Sequence, residues 1–162
     1  MNKKEFRYED FLEEVNPIYR DFVNQTNEYL LQNDCKLKIE LAKSGYLASY
    51  SYTKTKRVIA NFVFRKNGLI IRIYGDFVNK YIDFIDTLPA GMIKAIDKAP
   101  ACKRLIDPTK CNSRCTLGYD FTVKGSHYQK CRYNCFMFEV NDEHIPYITA
   151  FLENEIRERS AL

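Results

Sequence analysis

The spacing of apolar residues predicts helices at the N-terminal end and alternating strands through the middle of the chain. Residues 8–33 carry apolar side chains at helical spacing, interrupted at Pro17, a residue type that suits a first helical turn. Residues 36–74 then alternate apolar and polar side chains in four runs. An Asn-Gly pair at 67–68 separates the last two runs and is a strong hairpin signal. We therefore expect two helices followed by an antiparallel meander.

The second half of the chain mixes short helical and strand-like segments. Helical spacing predicts short helices at 77–85 and 87–97, and a cysteine-rich loop follows from 102 to about 117. Strands are expected at 118–123 and 128–140, with a turn at Gly125-Ser126 that would place Lys124 opposite His127.

A final helix is expected from about Asp142, with Pro146 tolerated in its first turn. The whole order predicts an α+β fold with N-terminal helices, an antiparallel β-meander, short helices, a Cys-rich loop plus β-hairpin, and a C-terminal helix. The 162 residues fit a single domain, 1–162.

The cysteine count matters because of the compartment that the sequence favours. The charged N-terminal residues precede no apolar segment typical of a secretion signal, and no run of 18 apolar residues exists. We therefore expect a cytoplasmic protein without a membrane span, where structural disulfides are disfavoured. Six cysteines in such a chain need another explanation.

Five of the six cysteines fall between residues 102 and 135, and this segment is the candidate site. They are Cys102, Cys111, Cys115, Cys131 and Cys135. Cys35 stands apart and is expected to be a small buried apolar residue. Thiolates are soft ligands that suit zinc or iron–sulfur clusters, and the C-x₃-C spacing at 111–115 resembles one half of a zinc site. The sequence therefore predicts a Cys-ligated zinc subsite over 102–135, with an iron–sulfur cluster as the alternative cofactor.

The remaining ligands of this site stay open at this stage. In a regular strand Cys131 and Cys135 would lie roughly 13 Å apart, too far to share an ion whose bonds to sulfur are about 2.3 Å long. Either a turn at 132–134 brings the two together, or Cys102 is the fourth ligand. A further alternative is that all five are reduced thiols without a metal.

Charge and aromatic content suggest two further candidate surfaces. Residues 102–135 carry a net charge of +5 while the rest of the chain sums to −1, which suits a nucleic-acid partner or offsets the −2 charge of a Cys₄ zinc site. The chain also has 12 Tyr and 11 Phe. A weak candidate for a ligand groove on one sheet face consists of Tyr46, Tyr50, Tyr52, Arg72 and Tyr74. The alternative is that this face is core against the N-terminal helix.

Two resemblances concern the fold. The order of helix, meander and then Leu88-Pro89 opening a short helix at 93–96 resembles the small bacterial YdhG-like and TfoX/YjbR-like domains over residues 8–97. Those are compact α+β domains, mostly of unknown function. The C-terminal block resembles an uncharacterised Cys-containing bacterial family in three motifs: Asp107-Pro108-x-x-Cys111-x-x-x-Cys115, Tyr128-x-Lys130-Cys131 and Phe136-x-Phe138. Neither resemblance implies an activity.

Catalytic motifs are missing from the sequence. It has no Gly-rich phosphate loop, no Gly-x-Ser-x-Gly and no His-Glu-x-x-His. We therefore expect a non-enzymatic binding module whose Cys-ligated subsite is structural and whose partner is a protein or a nucleic acid. The alternative is a small-ligand sensor or thiol-dependent enzyme that uses a reactive Cys or the Tyr-rich sheet face.

Overall fold

The N-terminal helices begin and end where the sequence pattern predicts. A computed structural model describes residues 5–162. Its first elements are α1 (Tyr8–Glu14), a 3₁₀ turn (Pro17–Tyr19) and α2 (Arg20–Gln32). The side chain of Asn16 caps the 3₁₀ turn by accepting a hydrogen bond of 3.2 Å from the Ile18 N–H.

An antiparallel sheet follows, and its strands confirm the predicted meander. They are β1 (Cys35–Ala42), β2 (Gly45–Tyr52), β3 (Arg57–Arg65) and β4 (Gly68–Ile73), joined in chain order. The predicted Asn-Gly turn joins β3 and β4, because Arg65 pairs with Gly68. A short strand, β7 (Met137–Glu139), completes the order β1-β2-β3-β4-β7. Val140, which follows it directly, donates its N–H to the Leu69 carbonyl at 2.9 Å.

The described chain divides into two compact units. The first unit contains residues 5–73 and 139–145, and the second contains 74–138 and 146–162. Aromatic side chains form the core of the first unit around Phe62, whose ring lies 5.9 Å from Phe11 and 6.3 Å from both Phe22 and Tyr50. That the two units form a single domain stays a prediction.

The second unit packs short helices and a hairpin around aromatic side chains. Its elements are a 3₁₀ turn (Val78–Tyr81), α3 (Ile82–Ile85), α4 (Ala90–Lys98), α5 (Lys103–Ile106), β5 (Tyr119–Val123), β6 (Ser126–Lys130) and α6 (Ile145–Ser160). The fully buried Phe151 of α6 contacts four other rings, the nearest being Phe136 at 5.1 Å. The α+β class is thus confirmed. Among the residues described, no helix has both the length and the apolar composition to span a bilayer.

A buried charge network also belongs to the second unit. Arg159 donates from Nε to Glu155 Oε2 at 2.7 Å, and the two side chains are 2% and 0% exposed. Asp76 lies 3.4 Å from Arg159 and forms a second ion pair with Arg132. Tyr81 donates its hydroxyl to Glu155. Two cations thus compensate two carboxylates, which is the condition for keeping such charges out of water.

Two predictions about the hairpin are wrong. The turn lies at Lys124-Gly125, so that Val123 pairs with Ser126 and His127 faces Thr122 rather than Lys124. Both turn residues have positive φ angles, 50° and 78°, as the tight two-residue hairpin turn requires.

The predicted strand 128–140 is also interrupted. It breaks at Cys131, whose carbonyl accepts the N–H groups of Asn134 and Cys135 at 3.1 and 2.9 Å. Residues 131–136 therefore form turns between β6 and β7. The turn at 132–134, which the sequence left as an alternative, is present.

Candidate functional site

Four cysteines line one cavity in the second unit. The cavity has a volume of about 550 Å³, and its cysteines are Cys102, Cys111, Cys115 and Cys131. Cys135 does not line it and is fully buried. Cys35 is 6% exposed in the first unit, in line with the prediction of a small buried residue. Three separate stretches of chain thus bring four of the five predicted ligands to one place.

Backbone hydrogen bonds hold two of these cysteines, which we call the anchored pair, Cys102 and Cys131. Residues 100–102 run antiparallel to residues 129–131: the Cys102 N–H donates to the Gln129 carbonyl at 2.8 Å. The Cys131 N–H donates in return to the Pro100 carbonyl, also at 2.8 Å. Since side chains alternate along such a ladder, both sulfurs project from the same side of it.

Hydrogen-bond donors also reach both anchored sulfurs. The Gly118 N–H donates to Cys102 Sγ at 3.3 Å, and Asn134 Nδ2 donates to Cys131 Sγ at 3.5 Å. Gly118 lies so close that a Cβ on it would be 2.7 Å from the Cys102 Cβ and 2.1 Å from the Lys130 carbonyl oxygen. The backbone is therefore packed directly against the anchored pair.

The other two cysteines, the turn pair Cys111 and Cys115, lie on an exposed turn that one arginine supports. Arg104 Nη1 donates to the Asn112 carbonyl at 3.2 Å and to the Cys115 carbonyl. The Asn112 side chain accepts the Arg114 N–H at 2.9 Å, which closes a local turn. Cys111 adopts a φ of 63° and is exposed, and Cys115 is half-buried.

The cavity wall is strongly basic. Its charged residues are Lys103, Arg104, Arg114 and Arg132, and no acidic residue of the described chain belongs to the lining. Arg132 is 10% exposed, is paired with Asp76, and lies over the rings of Tyr74 and Tyr119 at 5.0 and 5.6 Å. Its charge is thus fixed at the wall beside Cys131.

The sulfurs do not form a finished coordination set. Within residues 5–162, no three His, Cys, Asp or Glu side chains are grouped closely enough to hold a metal ion. The anchored pair and the turn pair therefore face a common cavity without a tetrahedral arrangement. Cys135 lies outside the cavity lining, and burial raises the pKa of its thiol above its ordinary value.

The tyrosines of the weak candidate groove are mostly buried. Tyr50 and Tyr52 are 0% and 1% exposed, and the Tyr50 hydroxyl donates to Asn27 at 2.7 Å. Tyr46 is half-buried and contacts another ring, Arg72 donates to Asn61 at 3.3 Å, and Tyr74 is buried in the second unit. These positions favour the core interpretation for Tyr50 and Tyr52.

Several residues that shape the cavity were not singled out from the sequence. They include Arg104, Gly118 and Asp76. Their structural roles depend on contacts between segments that are distant in sequence, such as the ion pair of Arg132 with Asp76. No local sequence pattern indicates such contacts. The interpretation of the cavity rests on its own residues, since no family model, no curated protein and no solved structure matches this chain.

Proposed function

We propose that the second unit binds one thiophilic metal ion, zinc in the first instance, through Cys102, Cys111, Cys115 and Cys131. The ion is structural and orders the Cys-rich loop of a binding module. The observation that carries the proposal is the lining of one cavity by four cysteines from three separate stretches of chain.

Closure of the site requires the turn pair to move toward the anchored pair. The anchored pair is held by two backbone hydrogen bonds, whereas the turn pair lies in a mostly exposed stretch, 107–117. Such a stretch gains little free energy from burial. Metal binding supplies the ordering energy instead, because in sites of this kind the binding free energy becomes folding free energy.

The electrostatics of the cavity support the same ligand set. Four thiolates around a divalent ion carry a charge of −2, which the four basic residues of the wall offset. The N–H groups on the anchored sulfurs are contacts of the kind that stabilise metal-bound thiolates. These basic residues also suit a nucleic-acid partner, and a steep fall of affinity with salt would be the sign of one.

The test is the metal content of protein purified without oxygen and without added chelator. We expect about one zinc per chain, and loss of most of it in Cys111→Ser and in Cys131→Ser. Cys35→Ala and Cys135→Ala are matched controls, because these residues are also cysteines but do not line the cavity. Both controls should keep the metal.

Three results would decide against the proposal. Visible absorption with iron and sulfide in the isolated protein would assign an iron–sulfur cluster instead. Loss of zinc in Cys135→Ala but not in Cys102→Ser would overturn the ligand set. Metal-free protein with one rapidly alkylated cysteine would favour the alternative of a thiol-dependent enzyme.

A further inference from the structure

Strand β1 forms one edge of the five-stranded sheet. Within the described residues it pairs only with β2, along all eight of its positions and without a bulge. Its outer side therefore offers a straight row of backbone donors and acceptors. Edge strands of this kind are either blunted against other chains or used to bind one.

A groove runs beside this edge and exposes apolar side chains. It has a volume of about 690 Å³ and is lined by Glu5, Phe6 and residues 37–41. Leu37 and Ile39 are half-buried, and Leu41 is 62% exposed, all on one face of the strand. A strand laid along β1 would cover this row.

The charges of β1 indicate which strand would fit. Lys38 and Glu40 lie on the opposite face, where their side chains form an ion pair of 2.9 Å within the chain and are 76% and 48% exposed. Both side chains are exposed enough to turn toward a second copy. If two copies of β1 pair antiparallel about Ile39, Lys38 of each copy faces Glu40 of the other. Pairing about Lys38 would place Lys36 opposite Glu40 but would also oppose two lysines, and pairing about Glu40 would oppose two glutamates. Of these three registers, only pairing about Ile39 brings opposite charges together without opposing like charges. The charges therefore favour one register between two identical strands.

The apolar face agrees with the same register. Leu41 of each copy then faces Leu37 of the other, and Ile39 faces itself. We propose that this chain forms a symmetric homodimer by antiparallel pairing of β1 with β1 of a second copy, centred on Ile39. The pairing joins two sheets edge to edge and covers Leu41. It does not depend on the metal site.

The test is sedimentation equilibrium of the full chain in reducing buffer, with charge reversal at the two positions. The wild type should dimerise reversibly. Lys38→Glu or Glu40→Lys should each raise the dimer dissociation constant by roughly tenfold or more, because two attractive cross-strand pairs become repulsive. The double variant K38E/E40K restores both attractions and should return the dissociation constant to that of the wild type.

Lys36→Glu is the matched control, since it makes the same change of charge on the same exposed face. In the proposed register Lys36 faces Ala42, so dimerisation should be unchanged. If Lys36→Glu weakens the dimer, the strands pair about Lys38 and the proposed register is wrong. A chain that is monomeric at all concentrations, a dimer insensitive to single reversal, or a double variant as weak as the single ones would overturn the proposal. Thermal unfolding of each variant shows whether it has folded.

Discussion

Gly118 has almost no room for a side chain. We expect Gly118→Ala to lower the free energy of unfolding by roughly 1–3 kcal/mol, because its Cβ would meet the Lys130 carbonyl and the Cys102 Cβ, which is held by backbone pairing. Gly75→Ala is the comparison: the atoms nearest to its Cβ would be ring atoms of Phe136 and Phe151, at 3.1 and 3.3 Å. Urea denaturation measures both. A larger loss of unfolding free energy in Gly75→Ala than in Gly118→Ala would contradict the packing described for Gly118.

The exposure of the six cysteines predicts the order in which their thiols react. After a chelator has removed any metal, we expect an alkylating reagent to modify the exposed Cys111 first, and Cys35 and Cys135 last. Cys135 should be slowest, since it is 0% exposed and burial raises the pKa of its thiol. Mass spectrometry of a time course gives the order. Without chelator, bound metal should slow Cys111, and equal rates for Cys111 and Cys135 would contradict the burial.

Glu155 should make stability depend on pH. Burial raises its pKa above the ordinary 4.5, although hydrogen bonds from Tyr81 and Arg159 partly oppose this. The folded state therefore holds the proton more tightly than the unfolded state, a contribution that is fully present below pH 4.5 and is lost as pH rises through the folded pKa.

We therefore expect the stability of the wild type to fall relative to Glu155→Gln as pH rises from about 4.5. Unfolding free energies of both proteins across this range give the difference. If the wild type instead becomes more stable than Glu155→Gln as pH rises, folding lowers the pKa of Glu155. The stabilisation of the carboxylate by Arg159 would then outweigh the cost of burying it.

The residue types and their spacing in the sequence predicted part of the candidate site. Cys111 and Cys115 were predicted as a pair from their spacing, and both line the cavity. The choice between Cys102 and Cys135 needed the pairing of residues 100–102 with 129–131, a contact between distant segments. Glu155 and Arg159 look like an exposed helical ion pair in the sequence, and only the packing of α6 shows them buried.

At the level of elements, Arg104 is the side chain that ties the turn carrying Cys111 and Cys115 to the preceding helix α5. Arg104→Ala removes both donations to the Asn112 and Cys115 carbonyls, so we expect faster proteolysis within 107–117 and weaker zinc binding. Arg114→Ala is the control, because it removes the same charge from an exposed lining residue. Limited proteolysis with mass spectrometry compares them. If Arg104→Ala and Arg114→Ala changed proteolysis and zinc binding equally, the positive charge rather than the hydrogen bonds of Arg104 would support the turn.

The meander and the hairpin show what local pattern predicts and what it does not. Alternation and an Asn-Gly pair sufficed for β1 to β4, because each strand pairs with its neighbour in sequence. The β5–β6 register failed because Lys124, an ordinary residue, takes the left-handed conformation beside Gly125. The break at 131–136 contains neither Gly nor Pro, so its composition did not decide between a continuous strand and the turn at 132–134.

At the scale of the whole molecule, the two units allow a test of the single-domain prediction. Cys111→Ser or Gly118→Ala should reduce amide protection across 102–135, while the β2 and β3 amides of the first unit keep theirs. Hydrogen exchange with peptide-level mass spectrometry gives both readouts at once. Equal loss of protection in the two regions would instead indicate one cooperative domain over 1–162.

The bond between Val140 and Leu69 has a consequence for biosynthesis. The two residues are 71 positions apart, yet both belong to the first unit. During translation the strands β1 to β4 leave the ribosome one after another. The segment around Val140, which bonds to the outer side of β4, emerges only after the whole cysteine-rich region. In the nascent chain β4 is therefore an unprotected edge strand, and it carries the apolar residues Leu69, Ile71 and Ile73. Slow translation of the second half would prolong that exposure, and a chaperone that covers apolar strands would be needed most during this interval.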